Sequence, residues 1–234
     1  MAQALSTAQL VGQDDAHLVA LPCGNRLQRE VAEAFSALQA DARKAGFELA
    51  VASSFRDYER QLAIWNGKAS GTRAVHDDSG EPLDVAALAP ADKVRAILRF
   101  SALPGASRHH WGTDLDVFDA VALPAGYRLQ LSPQEVVPGG MFDPLHRWLD
   151  ERISRDEAHG FYRPYGEDRS GVAPERWHLS YAPLARDCIG LLDAPTLQKA
   201  WDKGGDSLLL RDEVEARLGD ILERYVFCAG VPGQ

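Results

Sequence analysis

The first long periodic stretch runs from Asn25 to Ala45. Leu27, Val31, Phe35 and Leu38 recur there at helical spacing, which gives one apolar face. Asn25 is the expected N-cap and Gly46 the expected stop. The rhythm then changes to alternation in "FELAVASSF", where Phe47, Leu49 and Val51 predict a strand. A second helix is predicted from Asp57, a capping residue, to Gly67. "GKASGTRAVHDDSGEPLD" (67–84) is glycine-rich and charged and reads as a surface loop. Pro90 opens a helix carrying Val94, Ile97 and Leu98, and Pro104-Gly105 breaks it. "TDLDVF" alternates as a strand, with Asp114 and Asp116 on one face and Leu115 and Val117 on the other. Pro138-Gly139-Gly140 marks a turn before an amphipathic stretch bearing Phe142, Leu145, Trp148 and Leu149. "GFYRPY" and "WHLSY" are short aromatic strands separated by "GEDRSGVAPE". The last fifty residues read as helical, with Val214, Leu218, Ile221, Leu222 and Tyr225 as the buried stripe.

Strands and helices are mixed without regular βα alternation, which predicts an α+β fold and argues against a doubly wound sheet. With 234 residues the chain is long enough for a substantial core, and it is expected to be one domain with decorations. Apolar residues at 45% and charged residues at 25% are ordinary for a globular protein. A net charge of -9 argues against a nucleic-acid partner, whose binding would rest on a basic surface, and leaves room for a local basic pocket. Cys23, Cys188 and Cys228 are far apart and odd in number, so free thiols are expected in place of a disulfide framework. No run approaches a membrane span, and the N-terminal stretch lacks the basic and apolar regions of a secretory signal. The expected compartment is the cytoplasm, or the periplasm if a leader has been removed.

The chemistry concentrates in "SRHHWGTDLDVF" (107–118). His109 and Asp116 are separated by enough chain for a turn between two ligands of one ion. A hydrolytic zinc site needs three protein ligands, an open position for water, and a carboxylate to shuttle the proton. "PERWHLSY" (174–181) offers His178 as the third ligand and Glu175 as the base. Each residue taken singly has an ordinary structural explanation.

Taken together the motifs are specific. "SRHHWGTDLD" fits Ser-x-His-x-x-Gly-x-x-x-Asp, "ERWH" fits Glu-x-Trp-His, and "SSFRDYERQ" (53–61) fits Ser-x-aromatic-Arg-x-x-x-x-Gln. In order and separation they resemble the zinc D-alanyl-D-alanine carboxypeptidases of the vancomycin-resistance type, which share a fold with the hedgehog signalling domain. The resemblance covers about 47–181, and leaves 1–46 and 182–234 as helical elaborations of that core. It implies an antiparallel sheet flanked by helices and one zinc ion per chain. By position it implies His109, Asp116 and His178 as ligands, Glu175 as catalytic base, and Gln61 and Ser107 near the substrate. Arg56 matches the arginine that holds either the substrate carboxylate or the developing oxyanion, and the planar guanidinium suits both tasks. His110 is out of register as a ligand and reads as a supporting residue. Asp114 is either the carboxylate that orients a ligand imidazole or a simple strand-end acid. Trp111 and Trp177 either shape the groove or pack.

The implied activity is removal of a terminal D-amino acid, D-Ala, from peptidoglycan stem peptides or muropeptides. D,D- and L,D-cleavage both leave a free carboxylate for Arg56, so the sequence does not separate them. An endopeptidase cutting L-Ala–D-Glu is the enzymatic alternative. A catalytically silent zinc-binding interaction domain is the other, and Glu175 argues against it because a structural site needs no base.

Overall fold

The computed structural model describes residues 4–230. After a short helix α1 (Thr7–Leu10), strands β1 (Leu18–Ala20) and β2 (Arg26–Gln28) form an antiparallel hairpin. Asn25 therefore does not start the first long helix. It sits at the hairpin turn, where its side-chain oxygen accepts from Ser54 Oγ at 2.9 Å. Helix α2 (Arg29–Lys44) begins after β2 and buries Val31, Phe35, Leu38 and Ala42 along one face. It ends as the sequence implies. Gly46, at φ +90°, turns the chain so that Phe47 N–H reaches back to Ala42 O.

Strand β3 (Leu49–Ser53) leads to helix α3 (Tyr58–Ala69), which Asp57 caps by accepting from Arg60 N–H at 2.7 Å. Helix α4 (Pro90–Leu98) follows the charged loop. A 3-10 turn (Arg108–Trp111) then enters β4 (Asp114–Asp119). Helices α5 (Pro133–Val136) and α6 (Asp143–Ser154) precede the short strands β5 (Phe161–Tyr162) and β6 (His178–Tyr181). The C-terminal part is helical in short pieces: α7 (Ala182–Ile189), α8 (Ala194–Lys203), α9 (Arg211–Glu215), α10 (Leu218–Ile221) and a π-helical turn (Leu222–Phe227).

The main sheet is antiparallel throughout, in the order β3-β4-β6-β5. The fold is thus α+β. One face of the sheet carries Leu115, Val117 and Leu179 into a core shared with Val31 and Phe35 of α2 and Leu145 and Leu149 of α6. The alternation of β4 turns Asp114 and Asp116 to the other face. A second core joins Trp65 of α3, Ile97 of α4 and Trp111 to Leu197, Trp201, Val214 and Leu222 of the C-terminal helices. Among the described residues no helix is long and apolar enough to cross a membrane.

Candidate active site

The register of the sheet does the first part of the assembly. Asp116 of β4 pairs directly with His178 of β6, and Asp114 pairs with Ser180. Side chains so paired stand about 5 Å apart on one face of a sheet. The third group, His109, comes from the 3-10 turn that feeds β4. Gly112 makes that turn possible. Its φ of +69° is left-handed, and a Cβ there would lie 2.3 Å from Leu18 Cδ2. Ligand atoms of His109, Asp116 and His178 all fall within 4.8 Å of one another, and all three residues are buried.

The chemistry of this set fits a metal. His178 Nδ1 lies 3.4 Å from Asp116 Oδ1, and His109 Nε2 lies 3.4 Å from Asp116 Oδ2. Asp116 Oδ1 is buried and has no hydrogen-bond partner, the state of a carboxylate awaiting a cation. Two imidazoles and one carboxylate suit zinc better than calcium or magnesium. Glu175 approaches from the loop before β6, its Oε2 3.3 Å from His178 Nδ1, with the side chain 13% exposed. Its backbone is fixed by a 2.9 Å bond from its N–H to Tyr165 O.

A buried network holds His178 from behind. Its Nε2 donates to Asp114 Oδ1 at 3.0 Å, which leaves Nδ1 facing the site. Asp114 also accepts from Arg108 Nε at 2.8 Å, from Ser180 Oγ at 3.1 Å and from Thr113 Oγ1. Burial alone would raise the Asp114 pKa, but the Arg108 guanidinium and the bond from His178 hold it well below the carboxylate range. Asp114 is therefore ionised and orients an imidazole. Arg108 is itself 3% exposed and stacks 4.9 Å over Trp111. Trp111 lies in the core beneath this network, whereas Trp177 lines the cleft.

His110 is supporting, as its register implies. Its Nδ1 donates to Arg56 O at 2.6 Å, and its Nε2 accepts from Gly105 N–H at 3.2 Å. Burial pushes its pKa down to about 3, so the ring is neutral and pins the Arg56 backbone. Arg56 N–H also donates to His109 O at 3.2 Å. The Arg56 side chain makes no ion pair with Asp57 or Glu59. Its Nη1 donates to Gln61 Oε1 at 2.8 Å and its Nη2 to Ser53 Oγ at 3.4 Å.

Gln61 differs from the role implied by its motif. It is fully buried, and both ends of its amide are engaged, since Nε2 donates to Ala102 O at 2.7 Å. It does not reach the cleft wall, and it aims Arg56. Arg56, Ser107, His109, Asp116, Glu175 and His178 all line one cleft of about 500 Å³. The loop and the α5 segment meet across its rim, where Gln134 Nε2 donates to Ser79 O at 2.9 Å.

Lys68, Tyr165, Tyr225 and Val226 are among the wall residues that lie outside the motifs. The Tyr165 and His178 rings meet edge to face, with their centroids 5.1 Å apart. Lys68 has a retrievable signal, because it lies seven residues after Gln61 and so shares its face of α3.

Residues 24–184 match the model of the VanY family, D-alanyl-D-alanine carboxypeptidases. An uncharacterized protein of Haemophilus influenzae is 50% identical over 103 residues, covering 42% of this chain and 70% of that protein. Among solved structures, VanYB in complex with D-alanine-D-alanine is 24% identical, with a TM-score of 0.52 over 82% of this chain and 91% of that one. A mutant of the D,D-pentapeptidase VanY from a VanB-type resistance cassette, in complex with Zn(II), is 24% identical, with a TM-score of 0.51 over 86% and 91% of the two chains.

Proposed function

The chain belongs to the VanY D-alanyl-D-alanine carboxypeptidase family and is a metallopeptidase, and from that premise we propose that it removes the terminal D-amino acid of peptidoglycan-derived peptides. The observation that carries the proposal is convergence. The candidate ligands His109, Asp116 and His178, the carboxylate of Glu175 and the guanidinium of Arg56 all face one cleft.

In this reading one zinc ion is held by His109, Asp116 and His178, and it supplies Lewis-acid polarisation and lowers the pKa of water toward about 7. Glu175, beside the ligands but not needed as one, takes the proton of the attacking water and returns it to the leaving amine. Arg56 holds the free carboxylate of the departing residue, with its fork aimed by Gln61 and Ser53. Ser107 lies on the same wall, within the reach of that end of the peptide.

Mass spectrometry of defined tri-, tetra- and pentapeptide stems after incubation with zinc-loaded protein tests this. Loss of one C-terminal residue from the penta- or tetrapeptide is expected, and which of the two is cut reports D,D- or L,D-cleavage. Products of internal cleavage between L-Ala and D-Glu would assign an endopeptidase instead. Intact peptides throughout would leave a silent binding domain.

A further inference from the structure

Lys68 is a cation on the wall of the cleft that the proposed mechanism leaves without work. It stands in the last turn of α3. Among the described residues its amine makes no hydrogen bond and no ion pair, in a chain whose net charge is -9. Many other basic side chains here are paired. Arg99 binds Asp78 and Asp168, Arg163 binds Asp150, and Arg176 binds Asp143 and Asp150. Asp77 lines the same cleft but does not neutralise Lys68. Its carboxylate is committed to its own loop, accepting from Ser79 and from Glu81 N–H.

The charges that act on the amine are Glu175, Arg56 and Arg73. Burial is the main cause that pushes the pKa of Lys68 down to about 8; Glu175 opposes it, and the cations Arg56 and Arg73 add to it. The group is nonetheless charged at neutral pH. A half-buried ammonium with two cationic neighbours, and with Glu175 as its one opposing charge outside ion-pair contact, is under-compensated in the free protein, and an anion relieves it. A simple helix-end role, in which a lysine caps the last carbonyls, would show the amine bonded to them, and it is not.

One terminal carboxylate answers one cation, and Arg56 is the one set beside the ligands. Gln61, which aims Arg56, and Lys68 lie on the same face of α3, separated by about 10 Å of helix axis. An extended peptide covers that in about three residues. We propose that Lys68 is a second anion receptor of the cleft, and that this protein prefers peptides bearing a second carboxylate within the three residues nearest their C-terminus. The proposal rests on the carboxypeptidase reading for the placement of the chain end, and it names the class of substrate.

The test uses zinc-loaded full-length protein and short peptides ending in D-Ala. Each carries either an acidic residue or its carboxamide at one of the last three positions. For one position, kcat/KM is expected to favour the acid about ten- to a hundredfold, the worth of one charge-assisted hydrogen bond. In Lys68→Met that acid-to-amide ratio falls to near one, and in Lys68→Arg it is largely restored. Zinc content, measured in parallel, stays at the wild-type level. A purely structural Lys68 would lower both rates alike and leave the ratio intact, which overturns the proposal. So does a wild type with no acid preference at any position. If the wild type releases a terminal residue from no peptide, the carboxypeptidase reading fails separately. Calorimetric binding of the same acid and amide pairs then decides the point. An acid preference that Lys68→Met abolishes supports the receptor, and equal binding overturns it.

Discussion

His178 sits among three carboxylates, with Asp114, Glu175 and Asp116 at 3.0, 3.3 and 3.4 Å. Burial works against a charged imidazole, but the bonds to Asp114 and Glu175 outweigh it and push the pKa up to about 9 in the metal-free protein. Such a group wants a cation, and a zinc ion must displace its proton. Zinc binding at pH 7 is therefore expected to release about one proton per ion, measured calorimetrically in buffers of different ionisation enthalpy. No buffer dependence at pH 7 would remove His178 from the ligand set, as would full zinc occupancy in His178→Ala. For stability the sign follows from a raised folded pKa. Protonated His178 stabilises the metal-free chain below its ordinary value of 6.5, and that contribution is lost as pH rises toward 9. Arg56 is tested by substrate amidation. Amidating the C-terminus is expected to cost the wild type about as much as Arg56→Ala costs on the free acid, roughly ten- to a hundredfold. Both changes together should cost little more than one, because they remove the same contact. Fully additive losses would mean that Arg56 does not read that carboxylate. At this scale the motifs were legible, because each keeps its residues within a dozen positions of chain. The true place of Gln61 was not, because its burial depends on Ala102, a partner 41 residues away.

Elements turn these residues into a site. The cross-strand pair Asp116–His178 joins residues far apart in the chain, and it exists because Leu115, Val117 and Leu179 anchor the opposite face. The alternation of "TDLDVF" made that face division readable in advance. The hairpin of β1 and β2 was hidden. Three residues are too few to show a period, and β2 is fixed by β1 and by a 3.0 Å bond from Gln28 N–H to Gly112 O. Leu27 is apolar and buried whether it stands in a strand or a helix, so its place in the periodicity starts the predicted helix too early. This docking of β2 onto the turn is also why Gly112 cannot change. Gly112→Ala places a methyl against Leu18 and 3.3 Å from Gln28 N, in a left-handed backbone. It is expected to cost about 1–3 kcal/mol in urea unfolding and to weaken zinc binding by moving His109 relative to Asp116. Unchanged stability and zinc affinity would separate the turn from the metal site.

Across the whole molecule, the cleft is built from distant parts of the chain. The sheet supplies two candidate ligands and α3 supplies Lys68. The π-helical turn near the C-terminus brings Tyr225 and Val226 to the same wall. The stripe Val214, Leu218, Ile221 and Leu222 is buried against Trp65 and Ile97, so these helices share a core with the element that carries Arg56's support. Apolar periodicity announced that they pack, but only long-range contacts reveal what they pack against. The charge balance shows the same division of scale, since a chain at net -9 keeps a cationic corner in its cleft. The central claim is that this assembly is a zinc peptidase with Glu175 as its base. Metal analysis and turnover of a D-Ala-terminated pentapeptide, measured together on wild type and Glu175→Gln, test it most directly. The account requires about one zinc per chain in both proteins and a loss of about 10²–10⁴-fold in kcat for the variant. A variant that keeps its zinc and turns over at nearly the wild-type rate would contradict it.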